Sequence, residues 1–93
     1  MNEPLAPSVA KKRLVEILAT GTVSFSGHAQ EEMAKDGITM PEVRSVLRGG
    51  VVEPAEQERG SWRYRVRAGG VYVVVAFRAE DHALVVTAWR KKR

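Results

Sequence analysis

Apolar residues recur at two different spacings along this chain, and the change divides it near residue 50. In the first half, Val9, Ala10, Leu14, Ile17 and Leu18 fall on one side of a helix that Ser8 can cap and Gly21 can stop. A short extended piece, Thr22 to Phe25, follows. Ser26 or Gly27 then opens a second helix through His28, Ala29, Glu32, Met33 and Asp36, closed by Gly37. Thr39-Met40-Pro41-Glu42 reads as a capping box with Pro in the first turn, and starts a third helix carrying Val43, Val46 and Leu47. Gly49-Gly50 ends it.

From Val51 the period changes to two. Val51 to Glu58 contains Pro54 and reads as a poor strand fit only for an edge. After a turn at Arg59-Gly60-Ser61, Trp62 to Ala68 alternates, Gly69-Gly70 makes a two-residue hairpin, and Val71 to Arg78 is the strongest strand. Ala79 to His82 turns the chain, and Ala83 to Arg90 closes the sheet before a basic tail, 91–93. The expected fold is α+β in a single domain. Two to three N-terminal helices (1–50) pack on one face of a three- to four-stranded antiparallel meander (51–90).

The Gly69-Gly70 turn assigns cross-strand partners. Arg67 faces Tyr72, Val66 faces Val73, Arg65 faces Val74 and Tyr64 faces Val75. Paired residues share a face, so Trp62, Tyr64, Val66, Val73, Val75 and Phe77 form the core side. With the next turn at Glu80-Asp81, Leu84, Val86 and Ala88 join them. The opposite face collects Arg63, Arg65, Arg67 and Arg78 with Tyr72, Val74 and Ala76, and then Val85, Thr87 and Trp89. Guanidinium forks suit phosphates and flat rings suit unpaired bases, so this face is a candidate RNA-binding surface. It can also be a solvated face whose arginines pair with Glu56 or Glu58. Arginine at every alternate position from 63 to 67, with two aromatics among them, favours the first reading.

Charge follows the same division. The 93 residues carry a net charge of +4, but residues 1–58 hold six basic and nine acidic side chains while residues 59–93 hold nine and two. The basic half invites a polyanion. There is no cysteine, which removes disulfides and thiolate chemistry and suits the cytoplasm. The N-terminus shows no secretory leader, and the longest apolar run, Val71 to Phe77, is far short of a membrane span.

Candidate chemistry is sparse. His28 opens the second helix, where an imidazole can move protons near neutral pH or simply pack; His82 reads as a turn residue. Two distant histidines and no ligand-spaced carboxylates point to chemistry without metal or cofactor. The acidic run Glu53, Glu56 and Glu58 can supply a base or a solvated edge facing the arginines. A nuclease can be assembled from such parts, because RNA brings its own nucleophile, the 2′-OH. The protein then needs a proton acceptor, a proton donor (His28 or Tyr72) and cations for the phosphorane.

The segments Lys12-Arg13-Leu14-Val15 through Gly21-Thr22-Val23, Ser26-Gly27-His28-Ala29 and Asp36-Gly37-Ile38-Thr39 resemble the start of small bacterial toxin-like domains. Val46-Leu47-Arg48-Gly49-Gly50, Ser61-Trp62-Arg63-Tyr64-Arg65-Val66 and Val86-Thr87-Ala88-Trp89-Arg90 extend the likeness to residues 11–91. These domains are related to the MqsR mRNA interferases and, more distantly, to the RelE/ParE superfamily. The resemblance implies a RelE/MqsR-like fold, cleavage of mRNA with or without the ribosome, and a cognate antitoxin. It implies catalytic roles for His28, Arg63, Tyr72 and Arg90, although the hairpin arithmetic puts Arg90 on the face opposite Arg63 and Tyr72. One departure stands out. Where many of these domains read His-Ala-x-x-Arg-Met-x-x-Arg-Gly, this chain has Glu32 and Asp36. Other readings of the same face are a non-catalytic RNA binder and a protein-interaction module with an acidic partner.

Overall fold

The computed structural model describes residues 2–92, so Arg93 of the basic tail lies outside the described residues. The order of elements is α1 (Pro7–Thr20), β1 (Thr22–Phe25), α2 (Gly27–Asp36), α3 (Met40–Gly49), β2 (Val51–Val52), β3 (Glu56–Glu58), β4 (Ser61–Ala68), β5 (Val71–Ala79) and β6 (His82–Arg90). The fold is α+β, with the helices preceding all the strands but one. The sheet runs β1-β6-β5-β4-β2, with β3 also paired to β4. It is larger than the expected meander because Val51 to Glu58 forms two short strands in place of one and because Thr22–Phe25 joins it, parallel to β6, from Thr22 opposite His82 to Phe25 opposite Val85.

Local chemistry explains most of the boundaries. Ser26 caps α2 by accepting from the Ala29 amide, and Gly37 ends that helix in the left-handed conformation at φ 64°. Thr39 caps α3 by accepting from the Glu42 amide. At α1 the expectation fails: Ala6 occupies the cap position with no side-chain hydrogen bond, and Pro7, not a Ser8 cap, opens the helix. The other end of α3 is closed from outside, where Lys11 Nζ donates to Gly50 O at 2.6 Å.

α1 and α3 pack on each other and over one face of the sheet. Leu14, Ile17, Val43 and Leu47 meet Tyr64, Val66, Val73, Val75 and Val85 in the core. Partial Trp62 burial agrees with its core assignment. Tyr64 is fully buried, yet its hydroxyl has two partners: it accepts from the Leu5 amide and donates to Glu3 Oε2, both at 2.9 Å. Burial pushes this phenol up to about 12.

The β4–β5 register is as expected, with Arg67 opposite Tyr72 and Tyr64 opposite Val75. Both turn glycines have positive φ, 55° and 79°, as a two-residue turn of this hand requires. The β5–β6 register is not. Thr87 pairs with Val74 but Val85 pairs with Val75, so Val86 is an extra residue, a β-bulge. Below it the parity reverses: Ala83 and Val85 are fully buried in place of Leu84 and Val86. A second shift at Arg78 restores the count before Ala79 meets His82. The bulge has a partner. Ser26 donates its hydroxyl to Val86 O and its amide to Val85 O, both at 3.0 Å, where β1 hands over to α2.

Candidate functional site

α2 runs alongside β6 beyond the end of β1, burying Ala29 and Met33 and leaving His28 exposed at its first turn. Between that turn and the β3–β4 hairpin lies an open cleft of about 640 Å³. Val74, Val86, Thr87 and Trp89 form its floor; His28 stands on one side, and Glu53, Glu56, Glu58, Arg59, Arg63 and Arg65 on the other. Val86 reaches the cleft because the bulge reverses its face.

The cleft joins four of the eight residues nominated from sequence: His28, Arg63, Arg65 and Trp89. Tyr72 stands behind them. Its ring stacks on Trp89, with centroids 5.2 Å apart and planes 5° from parallel, and the Arg65 guanidinium lies 5.6 Å from its centroid. Arg67 is exposed and lies outside the lining, joined to the cleft through Glu53, 3.3 Å from its Nε. Arg78 is exposed at the second register shift and also lies outside the lining.

Arg90 is elsewhere. Its guanidinium donates to both oxygens of Glu42, at 3.1 and 3.2 Å, and to the carbonyl of Asp36. The Arg90 amide donates to Asp36 Oδ2 at 2.8 Å. The Arg90 hydrogen bond holds the Glu42 carboxyl below the usual carboxylate range. Arg90 thus ties the end of β6 to the α2–α3 junction. Of the two acidic departures, Asp36 satisfies a strand-edge amide, and Glu32 makes a surface pair with Lys35 at 2.9 Å on its own helix. Neither lines the cleft.

The acidic run proves to be the other wall of the site. Turning at Arg59-Gly60, both at positive φ, β3 sets Glu56 directly opposite Arg63 and Glu58 opposite Ser61. Glu53 binds Arg65 at 2.6 Å, and that hydrogen bond keeps the Glu53 carboxyl low. Glu58 approaches Arg63 at 3.7 Å. Three arginines and three glutamates therefore share the lining, and the arginine face is largely balanced by its own carboxylates. Arg63 carries an unpartnered donor. Its Nε is buried without a hydrogen-bond partner, a costly arrangement for a charged donor. The Arg59-Gly60 turn, read in the same way as Gly69-Gly70, is the signal that pairs Glu56 with Arg63.

Two further findings concern the described residues. No helix is long and apolar enough to cross a membrane. His82, expected in a turn, opens β6 with Nε2 2.7 Å from Ser24 Oγ.

Residues 25–90 match the model of a family described as a domain of unknown function (DUF4258). No curated protein and no solved structure matches the chain.

Proposed function

The chain belongs to the DUF4258 family, whose description names no activity, and from the cleft and the sequence resemblance we propose that it is a metal-independent endoribonuclease of the toxin type. On this reading it is a cytoplasmic mRNA interferase akin to MqsR and the RelE/ParE superfamily, restrained by a cognate antitoxin. The observation that carries the reading is the convergence of His28 with Arg63 and Arg65 in one open cleft. The 2′-OH attacks the neighbouring phosphorus, the P–O5′ bond breaks, and a cyclic phosphate and a 5′-OH result. Arg63 lines the cleft and is engaged only by a long 3.7 Å ion pair to Glu58, so its guanidinium is suited to hold the phosphate as its charge grows. His28 sits where an imidazole can exchange protons with the reacting oxygens.

The test is cleavage of a mixed-sequence RNA in EDTA, with and without ribosomes. Wild type should cut, and His28→Ala and Arg63→Ala should each lose roughly 100-fold in rate. Absence of cutting by wild type in both conditions refutes the reading. Expression of the chain alone should arrest growth, and the same substitutions should relieve the arrest.

One observation favours a second reading. With Arg65 and Arg67 bound to Glu53, much of the basic face is already neutralised, as in a non-catalytic RNA-binding or protein-interaction module. An RNA binder forms salt-dependent complexes without product and is indifferent to His28→Ala. A protein module instead retains a stoichiometric acidic partner and shows no affinity for RNA.

A further inference from the structure

Ribonuclease chemistry of this kind needs a proton acceptor as well as a donor, and the cleft offers three carboxylates. They are not equivalent. Glu53 is held by Arg65 at 2.6 Å and Arg67 at 3.3 Å, which makes it a weak base. Glu58 is engaged with Arg63 at 3.7 Å. Glu56 has no ion pair among the described residues. It is exposed, lines the same cleft as His28, and is fixed by the β3–β4 ladder directly opposite Arg63. Tyr72, the other proton carrier suggested by sequence, stacks behind Trp89 and lies outside the lining.

We propose that Glu56 is the proton acceptor of this site and His28 its proton donor, an assignment that rests on the endoribonuclease reading above. The Glu56 carboxylate takes the 2′-OH proton as that oxygen bonds to phosphorus. Arg63 stabilises the dianionic phosphorane. The His28 imidazolium then gives its proton to the departing 5′-oxygen as the P–O5′ bond breaks. Glu56 ends protonated and His28 neutral, and solvent returns the proton for the next turnover. The charged groups around Glu56 are Arg63 and Arg65 of β4, Arg59 of the turn, Glu53 and Glu58 on its own side, and His28 across the cleft.

Two substrates separate the roles: an RNA oligonucleotide and a nucleoside 3′-aryl phosphate diester whose leaving group needs no proton. Glu56→Gln should lower kcat about 100-fold on both, leave KM in place and abolish the acidic limb of the pH–rate profile. Glu56→Asp should restore part of the rate. His28→Ala should lose a similar factor on RNA but recover most of it on the aryl diester. Thermal unfolding of Glu56→Gln should match wild type, since the side chain is exposed. An active wild type together with an unimpaired Glu56→Gln, or with an acidic limb that persists in that variant, overturns the assignment of Glu56 while sparing the endoribonuclease reading. A wild type that cleaves neither substrate overturns both.

Discussion

Asp36 stands where many of the toxin-like domains that the sequence resembles have arginine, and its structural role makes a quantitative prediction. Its carboxylate accepts the β6 amide of Arg90 at 2.8 Å in a half-buried setting. A hydrogen bond to a charged acceptor contributes about 1.5–3 kcal/mol, and its removal strands a backbone donor at the edge of the sheet. Against this, an acid in the last turn of a helix opposes the helix dipole by about 0.3–1 kcal/mol. Asp36→Asn keeps an acceptor and relieves the dipole, so its stability should stay close to that of wild type. Asp36→Ala loses the bond and should cost about 1–2 kcal/mol, or roughly 4–16 °C in Tm for a domain of this size. Asp36→Arg, which restores the common pattern, also sets a cation beside Arg90 and should cost at least as much as Asp36→Ala. Circular dichroism melts at neutral pH measure all three. Full stability in Asp36→Arg would refute the reasoning, because no acceptor would then be needed at residue 36.

Three further outcomes follow from the packing and the ionisable groups. A Cβ at Gly50 would lie 2.5 Å from Val46 O and 2.8 Å from Arg67 O, whereas one at Gly49 meets nothing within 4 Å. Gly50→Ala should therefore lower the urea midpoint by the equivalent of about 2 kcal/mol while Gly49→Ala is neutral or stabilising. Tyr64, pushed up to about 12 by burial, keeps its proton in the fold after it would ionise in the unfolded chain. Its contribution is intact below about pH 10 and is lost as pH rises towards 12, so Tyr64→Phe should flatten stability over that window. Glu42 and Glu53 are depressed by hydrogen bonds from Arg90 and Arg65, so their contributions hold above the usual carboxylate range and disappear as pH falls through the folded values. Glu42→Gln and Glu53→Gln should each weaken the acid dependence of stability, by about 0.5 kcal/mol given their partial exposure.

Features governed by local chemistry were legible from sequence. Ser26, Gly37 and Thr39 mark helix ends because their side chains or left-handed backbone act within a few residues. Gly69-Gly70 sets a register that places Arg65 and Arg67 on the face away from the core. Features decided by distant chain were not legible. Leu84-Val85-Val86 is apolar at every position, so alternation there carries no parity, and the bulge is settled by Ser26 binding Val86 O. β1 is too short to show a period, and its parallel partner lies some 60 residues away. At the site, the shared face of Arg63 and Arg65 could be anticipated, but the place of His28 beside it, which depends on the β1–β6 pairing, could not, nor could Glu53 as the partner of two arginines. That pairing depends on the chain turning at Pro54 to set β2 and β3 along one strand.

The parallel pairing of β1 with β6 also bears on the order in which the chain folds. β3, β4, β5 and β6 are joined by two-residue turns, so their ladders close over short loops. β1 instead pairs across some 60 residues with the last strand in the sequence, and closing a loop of that length has a larger entropic cost. Ser26, and with it the first turn of α2, is held in place by β6 carbonyls. His28 therefore reaches the cleft only when the two ends of the domain have met. The arginine wall rests on contacts local in sequence, and the place of the imidazole rests on a contact between distant segments.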